Sequence, residues 1–587
     1  MTRSRETTLG IGLAFFFAAC SSSSPNSQTP GQGGSGVGGG AATAGSSAST
    51  AGTNAGNTAG TNAGNTAGTN AGNTAGTNAG NTAGTSAGNT AGSNGTTGGS
   101  SGSSGGSSGA GAGTSVGGGA SAGANGQAGG SSSAGAGAVV VSLPDVVTSA
   151  DGAFWKTGTL TPAASGTADV TADDTSLKQR WDGFGGTFNE AGWDALSVLS
   201  ASDQQLAIKL LFDAATGANF AYGRLPIGAS DYALKRYTLA ETANDYTMAN
   251  FTIAQDKKLL IPYIKAALAI KPEIHLWGSP WTPPGWMKDN NSTDSGNMKD
   301  DDKTLSAFAL YLEKFVQAYA AEGLKIEAVH PQNEPGYVNP YPSCAWTGAL
   351  YIKFIRDYLG PLFATDKVPA EIWCGTMSNQ TDGTIATDLA SDAKAMSYVK
   401  GFGMQWNTMG SVSSLKSKNV PIMQTEHRCG NYNGFTSPHA TSTYDANKPQ
   451  NDYAYGVESW GNIKDWIAAG VNSYSAWNMV LDTLGTNLNA SKPWHQNALL
   501  TVDRGAKKLT ATPAYYVFRH LSYFVAPKAT VIGTSGGDAL AFKNPDGAIV
   551  IVMYNSGAAK KATVSLGGTK FQFDMPGNGW ATVHHMK

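Results

Sequence analysis

The chain has 587 residues, and its formal net charge at pH 7 is -2 with 14% charged residues. Because there is no basic excess, nucleic acid is not an expected partner. All 14 tryptophans lie beyond residue 150, whereas residues 21–142 consist almost entirely of Gly, Ala, Ser, Thr and Asn, so we expect the folded part to begin near residue 143.

The first residues have the pattern of a lipoprotein signal peptide. Arg3 and Arg5 precede an apolar run over 9–19 that is too short to span a bilayer. Cys20 follows two alanines, which resembles the lipobox of bacterial lipoproteins. We therefore expect residues 1–20 to be a signal peptide, Cys20 to carry the lipid, and the mature protein to lie outside the cytoplasm, anchored to the outer membrane. A plain secretory peptide cleaved near Cys20 is the alternative.

Residues 21–142 form a low-complexity tract. An octapeptide, Ala-Gly-Thr-Asn-Ala-Gly-Asn-Thr, begins at Ala51 and recurs at Ala59, Ala67 and Ala75. Since no side chain in the repeat is an apolar group larger than alanine, the tract cannot offset the entropy of ordering. We expect a disordered linker that spans on the order of 60 Å, with a short-period β-solenoid as the alternative.

Eight short apolar runs alternate with amphipathic helical segments between residues 181 and 510. This alternation predicts a (β/α)8 TIM barrel. The predicted strands are 183–188, 218–225, 273–277, 326–330, 371–375, 401–406, 421–425 and 472–477, and the predicted helices include 202–215, 305–322, 348–359 and 457–469.

Beyond the barrel the pattern changes to short alternating runs separated by turn signals. After about Pro513 these runs predict a side antiparallel β-sandwich domain over 511–587. Residues 143–180, before the barrel, also have the pattern of strands and turns, and we expect them to join the side domain.

Two glutamates follow strand-like runs. Glu334 comes after the fourth predicted strand and Glu426 directly after the seventh. Both should therefore stand at the carboxyl ends of parallel strands, where a β/α barrel has its active site. Two carboxyls in one cleft can cleave a glycosidic bond, because one protonates the leaving oxygen and the other meets the positive charge on the sugar. The pair alone leaves proton transfer, metal binding and a structural role open.

Aromatic and polar side chains surround the pair. Arg224 closes the second predicted strand and is expected to keep Glu426 ionised, a surface salt bridge being the alternative. Asn333 can hydrogen-bond a sugar 2-hydroxyl or serve as a turn former. Flat rings near strand ends can stack on sugar C–H faces, and about half of them are expected to contact substrate: Trp277, Trp281, Trp286, Trp406, Trp477 and Trp494.

The remaining chemical signals are few. Cys344, Cys374 and Cys429 permit at most one intramolecular disulfide, and the sequence does not choose the pair. No histidine spacing suits a metal, and no phosphate-binding glycine loop occurs in the folded part. We expect neither a metal nor a cofactor.

Four motifs resemble glycoside hydrolase family 30, which includes lysosomal glucosylceramidase and microbial endo-β-1,6-glucanases. They occur in order at 181–190, 278–288, 332–335 and 424–426. The resemblance implies a retaining mechanism with Glu334 as general acid/base and Glu426 as nucleophile, and a side β domain built from both ends of the folded part. It also implies that the sugar next to the cleaved bond is bound by Arg224, Asp231, Trp281, Asn333, Trp477 and Asn497.

The substrate is less clearly indicated. Where mammalian glucosylceramidase has a tyrosine after the sixth-strand tryptophan, this chain has Asn407 after Trp406, and 477–481 and 494–498 look closer to the β-1,6-glucanase branch. An endo-β-1,6-glucanase-like enzyme is therefore expected, acting on a polysaccharide as a monomer. The alternatives are a glucosylceramidase-like exo-β-glucosidase, a xylan- or galactan-active member of the family, and a non-catalytic carbohydrate-binding surface lipoprotein.

Overall fold

A computed structural model describes residues 143–431, 439, 445, 447–488 and 496–586. The expected signal peptide with Cys20, the low-complexity tract and Trp494 lie outside these residues. Among the helices that are described, none is both long and apolar enough to cross a lipid bilayer.

The strands, in chain order, are β1 (Val146–Ala150), β2 (Ala153–Gly158), β3 (Thr161–Pro162), β4 (Val170–Trp181), β5 (Gly183–Thr187), β6 (Tyr222–Pro226), β7 (His275–Ser279), β8 (Ile326–Val329), β9 (Glu371–Met377), β10 (Val399–Met404), β11 (Ile422–His427), β12 (Ser473–Asn478), β13 (Val480–Asp482), β14 (Leu500–Asp503), β15 (Lys508–Ala511), β16 (Ala529–Ser535), β17 (Asp538–Lys543), β18 (Ile549–Asn555), β19 (Lys560–Leu566), β20 (Thr569–Met575) and β21 (Gly579–His585).

The α-helices are α1 (Glu190–Leu196), α2 (Ala201–Phe212), α3 (Leu260–Ile270), α4 (Asp302–Ala321), α5 (Gly348–Phe354), α6 (Gly360–Thr365), α7 (Gln380–Ser391), α8 (Ala393–Tyr398), α9 (Val412–Leu415), α10 (Ala454–Ala469) and α11 (Pro513–Ser522). A π-helical segment, Ile355–Leu359, joins α5 to α6, and short 3-10 segments occur at Asp256–Lys258, Gly285–Met287, Trp406–Ser411 and Lys416–Lys418.

Strands β5 to β12 form a closed barrel of parallel strands, in which each strand pairs with the next and β12 pairs with β5. The predicted TIM barrel is therefore confirmed, and each of the eight predicted runs overlaps one strand. Barrel strands are covered on both faces, which explains why they occur in the sequence as nearly continuous apolar runs. The carboxyl ends of all eight strands consequently meet at one rim.

Helices cover the outside of the barrel and begin at side-chain caps. Ser200 caps α2, Asp301 caps α4 and Asn379 caps α7, each accepting a hydrogen bond from a backbone amide in the first turn. Helix α4 buries one apolar face, including Phe308 and Phe315. Asn379, the cap of α7, lies just after the carboxyl end of β9.

The side domain is a ten-stranded sheet in the order β2-β1-β21-β18-β17-β16-β4-β19-β20-β3. Its pairings are antiparallel apart from β4 with β19. The N-terminal strands β1 to β4 are thus interleaved with the C-terminal strands β16 to β21, in agreement with the predicted side β domain. One apolar cluster fills this sheet and includes Val146, Val170, Ile532, Ile551, Val564 and Phe573.

Helix α11 connects the barrel to the side sheet and was not predicted. The sequence pattern predicts strands after about Pro513 and a domain boundary at 511, whereas the C-terminal strands of the side sheet begin at Ala529. A proline at the first helical position does not interrupt a helix, and Thr512 caps α11 by accepting from the Tyr515 amide. The helix packs against β5 and α10 of the barrel and against β21 of the side sheet, so residues 513–522 contact both parts of the fold.

Candidate active site

Glu334 lies in the loop that follows β8 and has a φ of 51°. This left-handed conformation is unfavourable for a residue with a side chain. Two hydrogen bonds hold the turn, because the Asn333 amide donates to the Pro280 carbonyl at 2.8 Å and the Glu334 amide donates to the Thr376 carbonyl at 2.9 Å. The ends of the neighbouring strands β7 and β9 therefore fix the backbone turn from which this carboxyl group projects.

Glu426 is the fifth residue of β11, and its side chain is 5% exposed. Its Oε1 forms a close ion pair with Arg224 Nη1. Its Oε2 accepts a hydrogen bond from Trp406 Nε1 at 2.9 Å. Both oxygens are thus held in place by hydrogen-bond donors.

Arg224 lies on β6, has no exposed surface, and links the strand ends on either side of the cleft. Its Nη2 donates to Asn333 Oδ1 at 2.7 Å and to Ser279 Oγ at 3.0 Å. Its guanidinium carbon lies 4.4 Å from the centre of the Trp281 ring. The planar fork of arginine thereby sets the positions of Glu426 and Asn333 together, which a lysine could not do.

Gln405, directly after β10, connects the two glutamates. Its Nε2 donates to Glu334 Oε1 at 3.0 Å, and its Oε1 accepts from Thr425 Oγ1 at 2.6 Å. Since Thr425 precedes Glu426 in β11, the amide of Gln405 has a fixed orientation between the two carboxyl-bearing segments.

The pKa of Glu334 lies well above the ordinary value for a glutamic acid. Burial is the largest cause, and the negative charges of Glu426 and Asp382 act in the same direction. The hydrogen bond from Gln405 opposes the shift, because it stabilises the ionised form. Glu334 therefore keeps its proton at a pH where an exposed glutamate has lost it, as a proton donor requires.

Asp231 is buried, and its Oδ1 has no hydrogen-bond partner among the described residues. Burial, together with the charge of Glu426, raises its pKa to about 8. A buried oxygen without a partner in the wall of a cleft can accept a hydrogen bond from a ligand hydroxyl.

Aromatic rings form one wall beside Asp231. Trp281 and Trp477 are stacked, with ring centres 5.1 Å apart and an interplanar angle of 19°. Tyr232 meets Trp477 edge to face at 5.8 Å. These contacts hold the indoles rigid, so that they can present a flat apolar surface to a sugar ring.

The cleft between these groups has a volume of about 670 Å³, part of it open to solvent. Its lining residues are Asp231, Trp281, Asn333, Glu334, Tyr337, Tyr341, Ser378, Asn379, Trp406, Asn407, Glu426, Trp477 and Gln496.

The structure thus brings seven of the predicted site residues into the lining of one cavity, with Arg224 beneath them. Asn497 is not in that lining. Its Nδ2 donates to the carbonyls of Cys429 and Gln450 at 3.2 and 2.9 Å, while its neighbour Gln496 lines the cavity. Of the six tryptophans proposed as sugar platforms, three line the cavity, two do not, and Trp494 lies outside the described residues.

Five lining residues were not singled out in the sequence: Tyr337, Tyr341, Ser378, Asn379 and Gln496. Tyr337 and Tyr341 follow β8, and Ser378 and Asn379 follow β9, so position after a barrel strand is the signal that could have found these four. Gln496 lies between β13 and β14, outside the barrel order. Many polar residues share that position, however, and the sequence does not reveal which of them face inward.

In the part of the chain that is described, no group of three or more His, Cys, Asp or Glu side chains is arranged to hold a metal ion. Cys344, Cys374 and Cys429 are buried and unpaired.

A barrel with two carboxyl groups of unlike environment at its carboxyl-terminal rim, next to stacked indoles, is the arrangement of an enzyme that cleaves glycosidic bonds. Sequence comparison agrees with this class. The profile of the glycosyl hydrolase family 30 TIM-barrel domain matches residues 181–525, and that of the family 30 beta sandwich domain matches residues 528–583. The chain belongs to glycoside hydrolase family 30, a family of retaining enzymes.

Relatives of two activities are similar to the chain. It is 28% identical over 437 residues to the endo-1,6-beta-D-glucanase neg1 of Aspergillus fumigatus, covering 67% of this chain and 83% of that protein. It is 26% identical over 398 residues to the lysosomal acid glucosylceramidase of Mus musculus, covering 64% and 75%. Among solved structures, the endo-beta1,6-glucanase BT3312 shares the fold with a TM-score of 0.66 at 23% identity, covering 75% of this chain and 99% of that one.

Proposed function

We propose that the chain hydrolyses β-glycosides in two steps, with Glu426 as nucleophile and Glu334 as general acid and then general base. The observation that carries this assignment is the contrast between the two carboxyl groups. Glu426 is held by Arg224 and Trp406 as an acceptor, whereas the pKa of Glu334 is raised by burial and by the charge of Glu426. A buried carboxyl group that keeps its proton can donate it, and a carboxyl group held as an acceptor can attack the sugar, so the two take separate roles in catalysis.

In the first step, a carboxylate oxygen of Glu426 bonds to the anomeric carbon. The bond from that carbon to the leaving oxygen breaks, and the proton of Glu334 passes to the leaving oxygen. The glycosyl ester of Glu426 carries no charge, so one cause of the raised pKa of Glu334 is removed at this point.

In the second step, water gives a proton to Glu334 while its oxygen bonds to the anomeric carbon. The ester bond to Glu426 breaks, and the sugar leaves with the β configuration it had in the substrate. Asp231 and the stacked indoles of Trp281 and Trp477 hold the sugar during both steps.

The nucleophile is tested by Glu426→Ala. We expect turnover to fall by about 10⁴-fold or more and azide to restore it, with the α-glycosyl azide as product, because the small anion occupies the vacated space. Asp388→Ala, at an exposed position of α7, is the control and should behave as wild type. Hydrolysis by Glu426→Ala at the wild-type rate would remove Glu426 from this role.

For the substrate we propose a β-1,6-linked glucan, cut within the chain. The polar side chains of Ser378, Asn379 and Asn407 line the cavity beyond Glu334 and can bind the hydroxyls of a further sugar. The similarity to endo-1,6-beta-D-glucanases supports the same substrate class.

A glucosylceramidase-like exo-β-glucosidase is the second candidate. It is favoured by the exposed apolar side chain of Val338, 45% exposed in the loop after Glu334, and by the similarity to glucosylceramidases. Product analysis on β-1,6-glucan, glucosylceramide, xylan and β-1,6-galactan separates the candidates. Oligosaccharides of several lengths from the glucan indicate internal cleavage, and glucose alone contradicts it.

We also propose that Cys20 carries a lipid and that residues 21–142 tether a monomeric enzyme to the outside of a bacterial membrane. The lipobox-like pattern at Cys20 supports the anchor. Wild-type protein expressed in a bacterium should incorporate labelled palmitate and sediment with the outer membrane, and Cys20→Ala should do neither. Labelling of the variant would contradict the assignment, and gel filtration of the released protein tests the monomer.

A further inference from the structure

The catalytic cavity has two sides that come from different arcs of the barrel. Asp231, Trp281 and Trp477 stand at or after β6, β7 and β12. Tyr337, Asn379 and other residues of the opposite side follow β8, β9 and β10, which are consecutive in the barrel order. The second side is therefore one continuous arc, and Glu334 belongs to it.

The proton transfer from Glu334 determines which side of the cavity holds the leaving group of the substrate. The inference therefore rests on the proposed function. Glu334 gives its proton to the leaving oxygen, and a proton donor must lie within hydrogen-bond reach of the atom it protonates. The leaving group therefore extends from the bond towards Glu334 and into the arc after β8, β9 and β10.

Hydrogen bonds join the three loops of this arc. Asp382 Oδ1 accepts from the Gly336 amide at 2.5 Å, and its Oδ2 accepts from the Ser378 amide at 2.7 Å. The Asn407 amide donates to the Ser378 carbonyl at 2.9 Å. The loops after β8, β9 and β10 are consequently held in fixed relative positions before any ligand binds.

Within this fixed frame, two side-chain amides keep hydrogen-bonding capacity. The Oδ1 of Asn379 is used as the cap of α7, since it accepts from the Asp382 amide at 3.1 Å, whereas its Nδ2 reaches only Ser378 Oγ, at 3.5 Å. The side chain of Asn407 is exposed and has no hydrogen bond to another described residue. Tyr337, 46% exposed, presents its ring beside them.

We propose that Tyr337, Asn379 and Asn407 form the subsite for the leaving-group sugar. The ring of Tyr337 packs on a C–H face of that sugar, and the two amides bind its hydroxyls. A ceramide or alkyl leaving group offers no row of hydroxyls and would displace water from both amides without replacing its hydrogen bonds. The subsite thus selects a sugar over a lipid.

The same subsite should hold a sugar acceptor in the second step. A hydroxyl of the acceptor then takes the place of water: its oxygen bonds to the anomeric carbon, its proton passes to Glu334, and the ester bond to Glu426 breaks. Transfer to sugars and cleavage of sugar–sugar bonds therefore depend on the same three side chains.

The variants are Asn407→Ala and Asn379→Ser, the second of which keeps a neutral oxygen that can cap α7. Thr384→Ala, at an exposed position of the same helix, is the control. Among β-glucosyl, β-galactosyl and β-xylosyl fluorides, the one that wild type hydrolyses fastest is the reference substrate, because fluoride is too small to fill the subsite. The second substrate is the β-linked disaccharide of the same sugar that wild type cleaves fastest.

Each variant should lower kcat/KM on the disaccharide by about tenfold, the effect of one lost hydrogen bond, and change kcat/KM on the fluoride by less than about twofold. The fraction of glycosyl fluoride transferred to an added sugar should fall in parallel, while the control matches wild type. Double replacement should lower disaccharide cleavage further.

Three results would overturn the subsite. Equal losses of kcat/KM on the fluoride and the disaccharide would show that the two asparagines act on the reacting atoms. No loss of kcat/KM on either substrate would show that the leaving group binds elsewhere. A wild-type enzyme that hydrolyses the fluoride but neither cleaves disaccharides nor transfers to sugars, and transfers instead to a long-chain alkanol, would show a lipid subsite. Failure of wild type to hydrolyse any of the fluorides would contradict the proposed function itself.

Discussion

At the residue scale, the two glutamates acquire different chemistry from their immediate neighbours. Glu426 contacts a buried guanidinium and an indole N–H, both donors. Glu334 receives one side-chain amide hydrogen bond, and its pKa is raised by burial and by the charges of Glu426, Asp382 and Asp231. Replacement of Gln405, whose side-chain amide donates to Glu334, should therefore change the pKa of Glu334.

Gln405→Met should shift the pH dependence of the enzyme. The lost N–H stabilised ionised Glu334, so its pKa rises further, and the acid form persists to higher pH. We expect the alkaline limb of kcat/KM to move upward by about half to one pH unit, and kcat to fall by about tenfold because the carboxyl loses its fixed direction. Gln317→Met, at an exposed position of α4, is the control. A shift of the alkaline limb to lower pH would contradict the conclusion that Gln405 stabilises ionised Glu334.

Trp406→Phe removes the N–H that contacts Glu426 and keeps an aromatic ring in the cavity. We expect kcat to fall by about ten- to a hundredfold, because one of the two donors to the nucleophile is lost, with a change of less than about 1 kcal/mol in the free energy of unfolding. Single-turnover rates and urea unfolding measure the two quantities. Trp193→Phe, away from the cavity, should leave the rate unchanged, and an equal rate loss in both variants would point to a general packing effect.

The sequence allowed the carboxyl pair and Arg224 to be predicted because each lies within or shortly after a barrel strand whose direction is known. It did not allow Gln405 or Asn379 to be assigned, since single polar residues after strands are common and their orientation depends on neighbouring loops. Asn497 and Gln496 illustrate the limit: adjacent residues point to different sides, and one of them lines the cavity. The direction of such a side chain depends on tertiary hydrogen bonds, which cannot be predicted from the local sequence pattern.

At the scale of elements, the barrel strands were predictable because burial on both faces gives uninterrupted apolar runs. Helix α11 was not, because Pro513 resembles a turn signal and the segment is short. The helix nevertheless joins the two parts of the fold through one side chain: His520 Nδ1 contacts Thr582 Oγ1 and its Nε2 contacts Ser149 Oγ, each at 2.8 Å. Because His520 is buried, we expect the stability of this contact between α11 and the side sheet to depend on pH.

Burial and the nearby charge of Arg519 lower the pKa of His520 to about 3. The unfolded chain binds a proton at this residue below about pH 6.5, and the folded protein does not, so stability is complete above pH 6.5 and is lost as pH falls towards 3. His520→Gln should remove up to about 1.4 kcal/mol per pH unit from the slope of the unfolding free energy over this range.

The same variant should cost about 1 to 3 kcal/mol at pH 7, because Ser149 and Thr582 lose well-placed partners. Urea unfolding at pH 4.5, 5.5, 6.5 and 7.5 measures both effects, and His275→Gln, whose side chain is 46% exposed, is the control. An unchanged slope in His520→Gln would show that His520 is protonated in the folded protein.

At the scale of the whole molecule, the two ends of the described chain form one sheet. Strand β4, from the N-terminal side, lies between β16 and β19, and β1 pairs with β21. A sheet edge that loses its partner exposes unpaired backbone groups. The side domain therefore depends on residues 143–180 as much as on its C-terminal strands.

Two truncations separate this dependence from any role of the low-complexity tract. A chain that starts at residue 143 keeps every strand of the sheet and every cavity residue described above. We expect its kcat/KM on a soluble β-glycoside to equal that of the longer chain, and its melting temperature to lie within about 2 °C of that of the longer chain.

A chain that starts at residue 182 lacks β1 to β4. Strands β19 and β20 are then disconnected from β16, and one edge of β21 is left unpaired. We expect that protein to aggregate or to melt at least about 10 °C lower, measured by differential scanning calorimetry, because the apolar cluster of the sheet is exposed. Equal melting temperatures for the two truncated chains would show that β16 to β21 fold without the N-terminal strands, and that the interleaving adds no stability.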